Sequence, residues 1–215
     1  TYSGLENLKD GRTHLLISNH RDIILDPAII QVLLYENKVH TTEIAVGDNL
    51  ITSQFIEDIT RSNGMIKVVR GGTPREIYSN SSHLSEYLRS KIGSGECSAW
   101  IAQRNGRTKD GKDQTSQGLV KMLQMSGSGN FVEDYAALNI VPISISYQYE
   151  PCDFLKAREL YISKREQYVK QPGEDLQSML TGLTQYKGNV HFYFAPTLSA
   201  EAISKCAELD KNERY

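Results

Sequence analysis

The run Ser18-Asn19-His20-Arg21-Asp22-Ile23-Ile24-Leu25-Asp26-Pro27 sets one imidazole within six positions of two carboxylates. A histidine near neutral pKa is suited to taking a proton from a hydroxyl at ordinary pH. A carboxylate on its far ring nitrogen fixes the tautomer and stabilises the imidazolium that forms. His20 is therefore a candidate base, with Asp22 or Asp26 as the group that orients it. The same residues also fit a plainer reading. A loop histidine can bond a backbone carbonyl, while Asp26 caps a helix that opens at Pro27. Taken alone, this stretch leaves both open.

Two further groups carry positive charge. Arg61, Lys67, Arg70 and Arg75 gather around Gly71-Gly72, and Arg70 closes an apolar run. An arginine beside glycine amides can hold an anion, although four cations in a row of segments also describe a solvated surface. Gln103-Arg104-Asn105-Gly106-Arg107-Thr108-Lys109-Asp110-Gly111-Lys112 holds four basic residues and two glycines directly after a buried-type strand. Arginine grips phosphate with two parallel bonds, and glycine lets backbone come close. That position favours a functional loop over a structural turn.

Other chemistries lack their signatures. There is no GxSxG nucleophile turn and no GxxxxGK[ST] loop. Cys97, Cys152 and Cys206 are odd in number, with no CxxC or Cys/His ligand spacing, so no metal site is expected and a reducing compartment is. His14, His40, His83 and His191 have no nearby acid pair and are expected to be structural. With 24 basic and 26 acidic residues, the net charge of −2 speaks against a nucleic-acid partner. No apolar run approaches the roughly 18 residues of a membrane span, and Thr1-Tyr2-Ser3-Gly4 has no signal-peptide pattern. The missing initial Met and the abrupt end suggest trimmed termini.

The elements that would carry these residues alternate. Strands are predicted at 15–17, 43–46, 65–69, 98–102, 140–147 and 190–194. Helices are predicted at 27–36, 53–61, 75–91, 118–125, 175–183 and 199–209. The alternation predicts an α/β fold with a mostly parallel central sheet flanked by helices, as one domain over 1–215. Ligands of such sheets bind beyond the carboxyl ends of the strands, where Asn19-His20, Arg70-Gly71 and Arg104 to Arg107 all fall. Leu50, Ile51 and Phe55 are apolar enough to touch a membrane interface, but their helical spacing favours core packing.

From about residue 14 to 150 these pieces resemble the glycerol-3-phosphate and 1-acylglycerol-3-phosphate acyltransferase superfamily (PlsB/PlsC-like). Asn19-His20 through Asp26 looks like its NHxxxxD block. Gly47 through Arg70 looks like the second block, Arg104-Asn105-Gly106-Arg107 stands where the family has EGxR, and Val141-Pro142-Ile143-Ser144-Ile145 looks like the VPxxI block. The resemblance implies that His20 deprotonates the acceptor hydroxyl for attack on acyl-ACP or acyl-CoA. It implies that Arg70 and Arg107 hold the acceptor's anion, with Gly106 giving close approach and Arg104 and Asn105 nearby. Pro142 would shape the acyl pocket. No metal or other cofactor is implied. The implied partners are an acyl carrier protein or CoA thioester, a phosphorylated or anionic lipid acceptor and a membrane surface at the cytoplasmic face.

Three departures from the family pattern stand out. The acid falls at Asp26, one position late, with Leu25 at the family position and Asp22 as the other candidate. Asn105 replaces the family glutamate, which keeps hydrogen bonding and loses charge. Arg107 follows Gly106 without the intervening residue. These leave room for another lyso-lipid acceptor such as an aminolipid, for a catalytically weak binding domain, or for a thioesterase-like hydrolase.

Overall fold

The structure is a computed structural model and describes residues 1–51, 53–210 and 213–215. Among them, seven strands form one sheet: β1 (Tyr2–Ser3), β2 (Leu15–Ser18), β3 (Glu43–Gly47), β4 (Met65–Val68), β5 (Ala99–Ala102), β6 (Val141–Tyr147) and β7 (Val190–Phe194). Their spatial order is β1-β7-β6-β2-β5-β3-β4. Every neighbouring pair is parallel except β6 and β7. The helices are α1 (Leu25–Glu36), α2 (Gln54–Ser62), α3 (Pro74–Gly93), α4 (Gln117–Gln124), α5 (Phe131–Ala136), α6 (Asp153–Ser163), α7 (Glu174–Thr184) and α8 (Ala200–Ala207). This is the α/β architecture that the alternation predicts.

Successive strand residues point to opposite faces, so each central strand feeds two cores. Leu16 and Trp100 join Ile44 and the Ile30 and Leu34 side chains of α1 on one face. Leu15, Ala99 and Ile101 join Leu88 and Ile92 of α3, Met122 and Leu123 of α4, and Ile203 of α8 on the other. Leu15, Leu34 and Leu88 are fully buried. Each such side chain contributes about 1.5–3 kcal/mol relative to exposure.

Several boundaries differ from the sequence expectation for local reasons. α1 begins at Leu25, before Pro27, because Asp22 Oδ1 accepts the N–H groups of Ile24 (2.9 Å) and Leu25 (2.8 Å). Asp22, not Asp26, does the capping. α3 begins at Pro74, where Thr73 and Glu76 form a reciprocal cap. β1 is only two residues and α5 only six, too short for a period to show. α6 has no apolar stripe: its buried position is Lys156, and Phe154 is 85% exposed. Phe55, expected in the core, is 70% exposed, since α2 buries only Thr60. No helix among the described residues is long and apolar enough to cross a membrane.

Parallel strands bring their carboxyl ends to one edge. Ser18 aligns with Ala102 and with Ile143, and Gly47 aligns with Val68. The loops that leave Ser18, Gly47, Val68 and Ala102 therefore start side by side.

Candidate active site

His20 stands two residues beyond the end of β2, and three contacts set its backbone. Asn19 exchanges two hydrogen bonds with Ile145 of β6. The His20 carbonyl accepts from the Thr108 N–H at 2.9 Å. The Ser18 carbonyl accepts from the Gln103 N–H at 2.7 Å. The His20 ring meets Trp100 edge-on, with centroids 6.1 Å apart. The Trp100 indole N–H in turn donates to Ser18 Oγ.

His20 Nδ1 lies 3.0 Å from Asp26 Oδ2. Asp26 is wholly buried, and its carboxylate accepts three more bonds. The Arg21 N–H (2.6 Å) and Asp22 N–H (2.9 Å) reach Oδ2, and the Tyr147 hydroxyl reaches Oδ1 at 2.9 Å. With Asp26 accepting, Nδ1 carries the proton and Nε2 keeps its lone pair. Burial, then the Asp26 carboxylate, push the Tyr147 phenol far above its ordinary range, so it remains a donor. The extra residue between His20 and Asp26 is taken up by the turn at 21–24, whose Arg21 and Asp22 amides bond the Asp26 carboxylate. Asp22 does not reach His20; it sits on the start of α1, as described above.

A cavity of about 350 Å³ opens in front of His20, and Arg70, Gly106 and Arg107 line it. Arg70 is exposed as a residue, but its guanidinium packs on the backbone of Gly47. A Cβ there would stand 2.6 Å from the Arg70 Nε and Cζ, so a larger residue at 47 would displace the Arg70 side chain. Burial lowers the Arg70 pKa, while Asp48 and Asp175 oppose that shift. Arg107 is half-buried, and its Nη1 is buried without a hydrogen-bond partner among the described residues. Gly106 has φ +73, a conformation open to glycine at little cost.

The other predicted residues lie elsewhere. Arg61 pairs with Glu57 on α2, and Lys67, Arg75, Gly71 and Gly72 are exposed away from the cavity lining. Arg104 is half-buried and Asn105 exposed; neither lines the cavity. Pro142 is in β6, paired with Ile17, and does not line it either. The Pro142 carbonyl accepts from Ala195, so its missing N–H falls where β7 has already ended.

The far wall comes from the C-terminal third of the chain, which sequence reading left without a role. Lys156 and Arg158 of α6 and Asp175 and Ser178 of α7 line the cavity. Lys156 is buried; that burial lowers its pKa, and its pairing with Glu150 raises it. Lys109 pairs with Glu159, and Lys170 with Asp175. Arg70, Arg107 and Arg158 form no ion pair at salt-bridge distance among the described residues, although Asp48 and Asp175 stand near enough to Arg70 to act on its charge. Tyr147 carried one signal in the sequence: it continues the inward alternation Val141, Ile143, Ile145. Lys156 carried none, because a buried lysine on a helix without a stripe has no sequence pattern.

A mostly parallel α/β sheet carries an imidazole–carboxylate pair at its carboxyl edge, beside a cavity lined by Arg70 and Arg107, an arrangement chemically able to move a proton next to an anionic ligand. Residues 1–146 match the family described as Acyltransferase, and the chain belongs to that family. No curated protein matches the sequence. The fold is similar to the crystal structure of the 1-acyl-sn-glycerophosphate (LPA) acyltransferase PlsC from Thermotoga maritima, with TM-score 0.54 and 13% identity. The match covers 99% of this chain and 64% of that one, so the chain spans under two thirds of that structure's length.

Proposed function

We propose that this protein is an O-acyltransferase of membrane lipid biosynthesis. It moves a fatty acyl group from acyl-ACP or acyl-CoA to the hydroxyl of glycerol-3-phosphate or a lysophospholipid. The observation that carries this reading is the His20–Asp26 pair, 3.0 Å apart, opening on the cavity that Arg70 and Arg107 share. His20 Nε2 takes the hydroxyl proton as the acceptor oxygen attacks the thioester carbonyl. The new C–O bond replaces the C–S bond, and the imidazolium returns the proton to the leaving thiolate. Asp26 keeps the imidazole in the tautomer this needs and stabilises its charge. Arg70 and Arg107 hold the acceptor's phosphate, and Gly106 lets it approach. The atoms balance without a cofactor beyond the thioester. The acylated product resides in a bilayer and the thioester donors are cytoplasmic, which supports work at a membrane surface on its cytoplasmic face.

The test is thioester consumption by purified protein with palmitoyl-ACP or palmitoyl-CoA. Glycerol-3-phosphate, lysophosphatidate and a lyso-aminolipid are compared as acceptors, each with wild type and His20→Ala. Acceptor-dependent turnover that disappears in His20→Ala supports the reading. Fatty acid released at one rate with and without acceptor would make the protein a thioesterase instead.

A further inference from the structure

Three tethers run from residues 147–156, beyond the family-matched stretch, to the loop that holds His20. Glu150 Oε2 accepts from the Arg21 guanidinium at 3.0 Å. Lys156 Nζ donates to the Arg21 carbonyl at 2.6 Å. The Tyr147 hydroxyl donates to Asp26 Oδ1 at 2.9 Å. The first two hold backbone and guanidinium. The third touches the carboxylate that faces the imidazole, so of the three it alone bonds the pair directly.

We propose that Tyr147 is a positioning residue of the His20–Asp26 pair, whose hydroxyl shares the Asp26 carboxylate and so restrains the basicity that Asp26 lends to His20. His20 and Tyr147 compete for one negative charge. His20 bonds Oδ2, which also takes two backbone amides, and Tyr147 bonds Oδ1. A donor on Oδ1 draws charge away from Oδ2 and weakens the carboxylate's hold on an imidazolium. The phenol cannot reverse the bond by ionising, since burial and the neighbouring carboxylates Asp26, Asp22 and Glu150 keep it protonated. The other charges around the pair are Arg21 and Asp22 in the turn, Glu150 after β6, Lys156, Arg158 and Glu159 on α6, Arg107, Lys109 and Asp113 after β5, Arg70 after β4, Lys170 before α7, and Glu174 and Asp175 on α7. None of them is altered by removing one hydroxyl, so Tyr147→Phe isolates this bond.

The sign is fixed. Without the hydroxyl, the Asp26 charge concentrates on the His20 side, the imidazolium is stabilised and His20 titrates at higher pH. The expected upward shift is about 0.5–1 pH unit, the size of an ordinary net hydrogen bond, because only part of the bond's strength is passed on to the imidazolium. The consequence for turnover rests on the reading of His20 as the base: the acid limb of kcat/KM then moves up by the same amount. The titration itself does not rest on that reading.

The experiment follows the His20 ring by NMR across pH in wild type, Tyr147→Phe, Asp26→Asn and the double variant, with His20→Ala identifying the signal. The expected result is an upward shift in Tyr147→Phe and none when Tyr147→Phe is added to Asp26→Asn. A titration midpoint that stays or falls in Tyr147→Phe overturns the proposal, as does an equal shift in the Asp26→Asn background. A second readout needs no variant at Tyr147. In wild type labelled at tyrosine 13Cζ, the Tyr147 resonance should inflect at the His20 midpoint, and a flat response would also overturn the proposal. A shifted titration with an unmoved acid limb supports the role of Tyr147 and removes His20 as the base.

Discussion

Asn19 and Ile145 form a rung that the backbone alone does not supply. Asn19 Nδ2 donates to the Ile145 carbonyl at 2.9 Å, and the Ile145 N–H donates to Asn19 Oδ1 at 2.7 Å. Asn19 lies just past β2, whose last partner in β6 is Ile143. An amide side chain thus extends the pairing of β2 with β6 beyond the last strand residue and holds the next residue, His20, in place. The same Nδ2 also reaches Asp113 Oδ2 at 3.1 Å.

Asn19→Ala leaves the Ile145 amide and carbonyl without partners in a buried setting. Stability should fall by about 1–3 kcal/mol, read from urea unfolding, and turnover should fall further than the unfolded fraction explains. A stable variant with full turnover would mean that the rung does not position His20.

The two acids should separate by function. Asp26→Asn removes the charge behind His20 and should cost about a hundredfold or more in kcat, in the range of general-base effects. Asp22→Ala removes the cap on Ile24 and Leu25 and should cost about 0.5–2 kcal/mol of stability with kcat changed only a few-fold. Parallel kinetics and thermal melts of the two proteins check this. Equal losses of kcat would return Asp22 to the reacting group.

Arg70→Ala and Arg107→Ala should act on the acceptor, not the donor. Loss of one charge-assisted contact corresponds to about a tenfold to hundredfold rise in acceptor KM. An uncharged hydroxyl acceptor should show no such change. If donor KM rises instead, the arginines hold the thioester's phosphate.

Acid sensitivity should show at the opposite end of the sheet. Burial raises the Asp10 pKa, but the Arg12 amide and guanidinium and the His14 ring outweigh it and hold the carboxyl at about 2, below the ordinary 3.8. A depressed carboxyl contributes its stability above the unfolded value and loses it as pH falls through the folded one. Asp10→Asn should therefore be less stable than wild type at neutral pH, with the gap closing between about pH 4 and 2 in urea titrations. Because Asp10 is partly solvated, the gap should be small. A gap independent of pH would place the effect in packing.

Strands and helices were legible where side chains repeat with a clear period. Leu15-Leu16-Ile17 and Val141 to Ile145 alternate between the two cores, and the long α3 carries its cap at Thr73. His20 and Asp26 were legible as chemical types at close spacing, and Arg70 and Arg107 as cations at strand ends. The same reading placed Arg104, Asn105 and Pro142 at the site, because neighbours in sequence share a loop or strand without sharing a direction. α6 was missed because its buried position is a lysine that meets Glu150 and the Arg21 carbonyl, a partnership invisible along the chain.

Composition, period and order in the chain determined the mostly parallel α/β sheet and the histidine that stands at its carboxyl edge. They left the orienting acid open between Asp22 and Asp26. Tertiary structure decided it, because the turn at 21–24 sends one carboxylate to the start of α1 and the other to the imidazole. Tyr147 joins that carboxylate from a residue 121 positions away. Spacing along a chain constrains only neighbours on one element, whereas a hydrogen bond between elements depends on how the whole sheet brings their ends together.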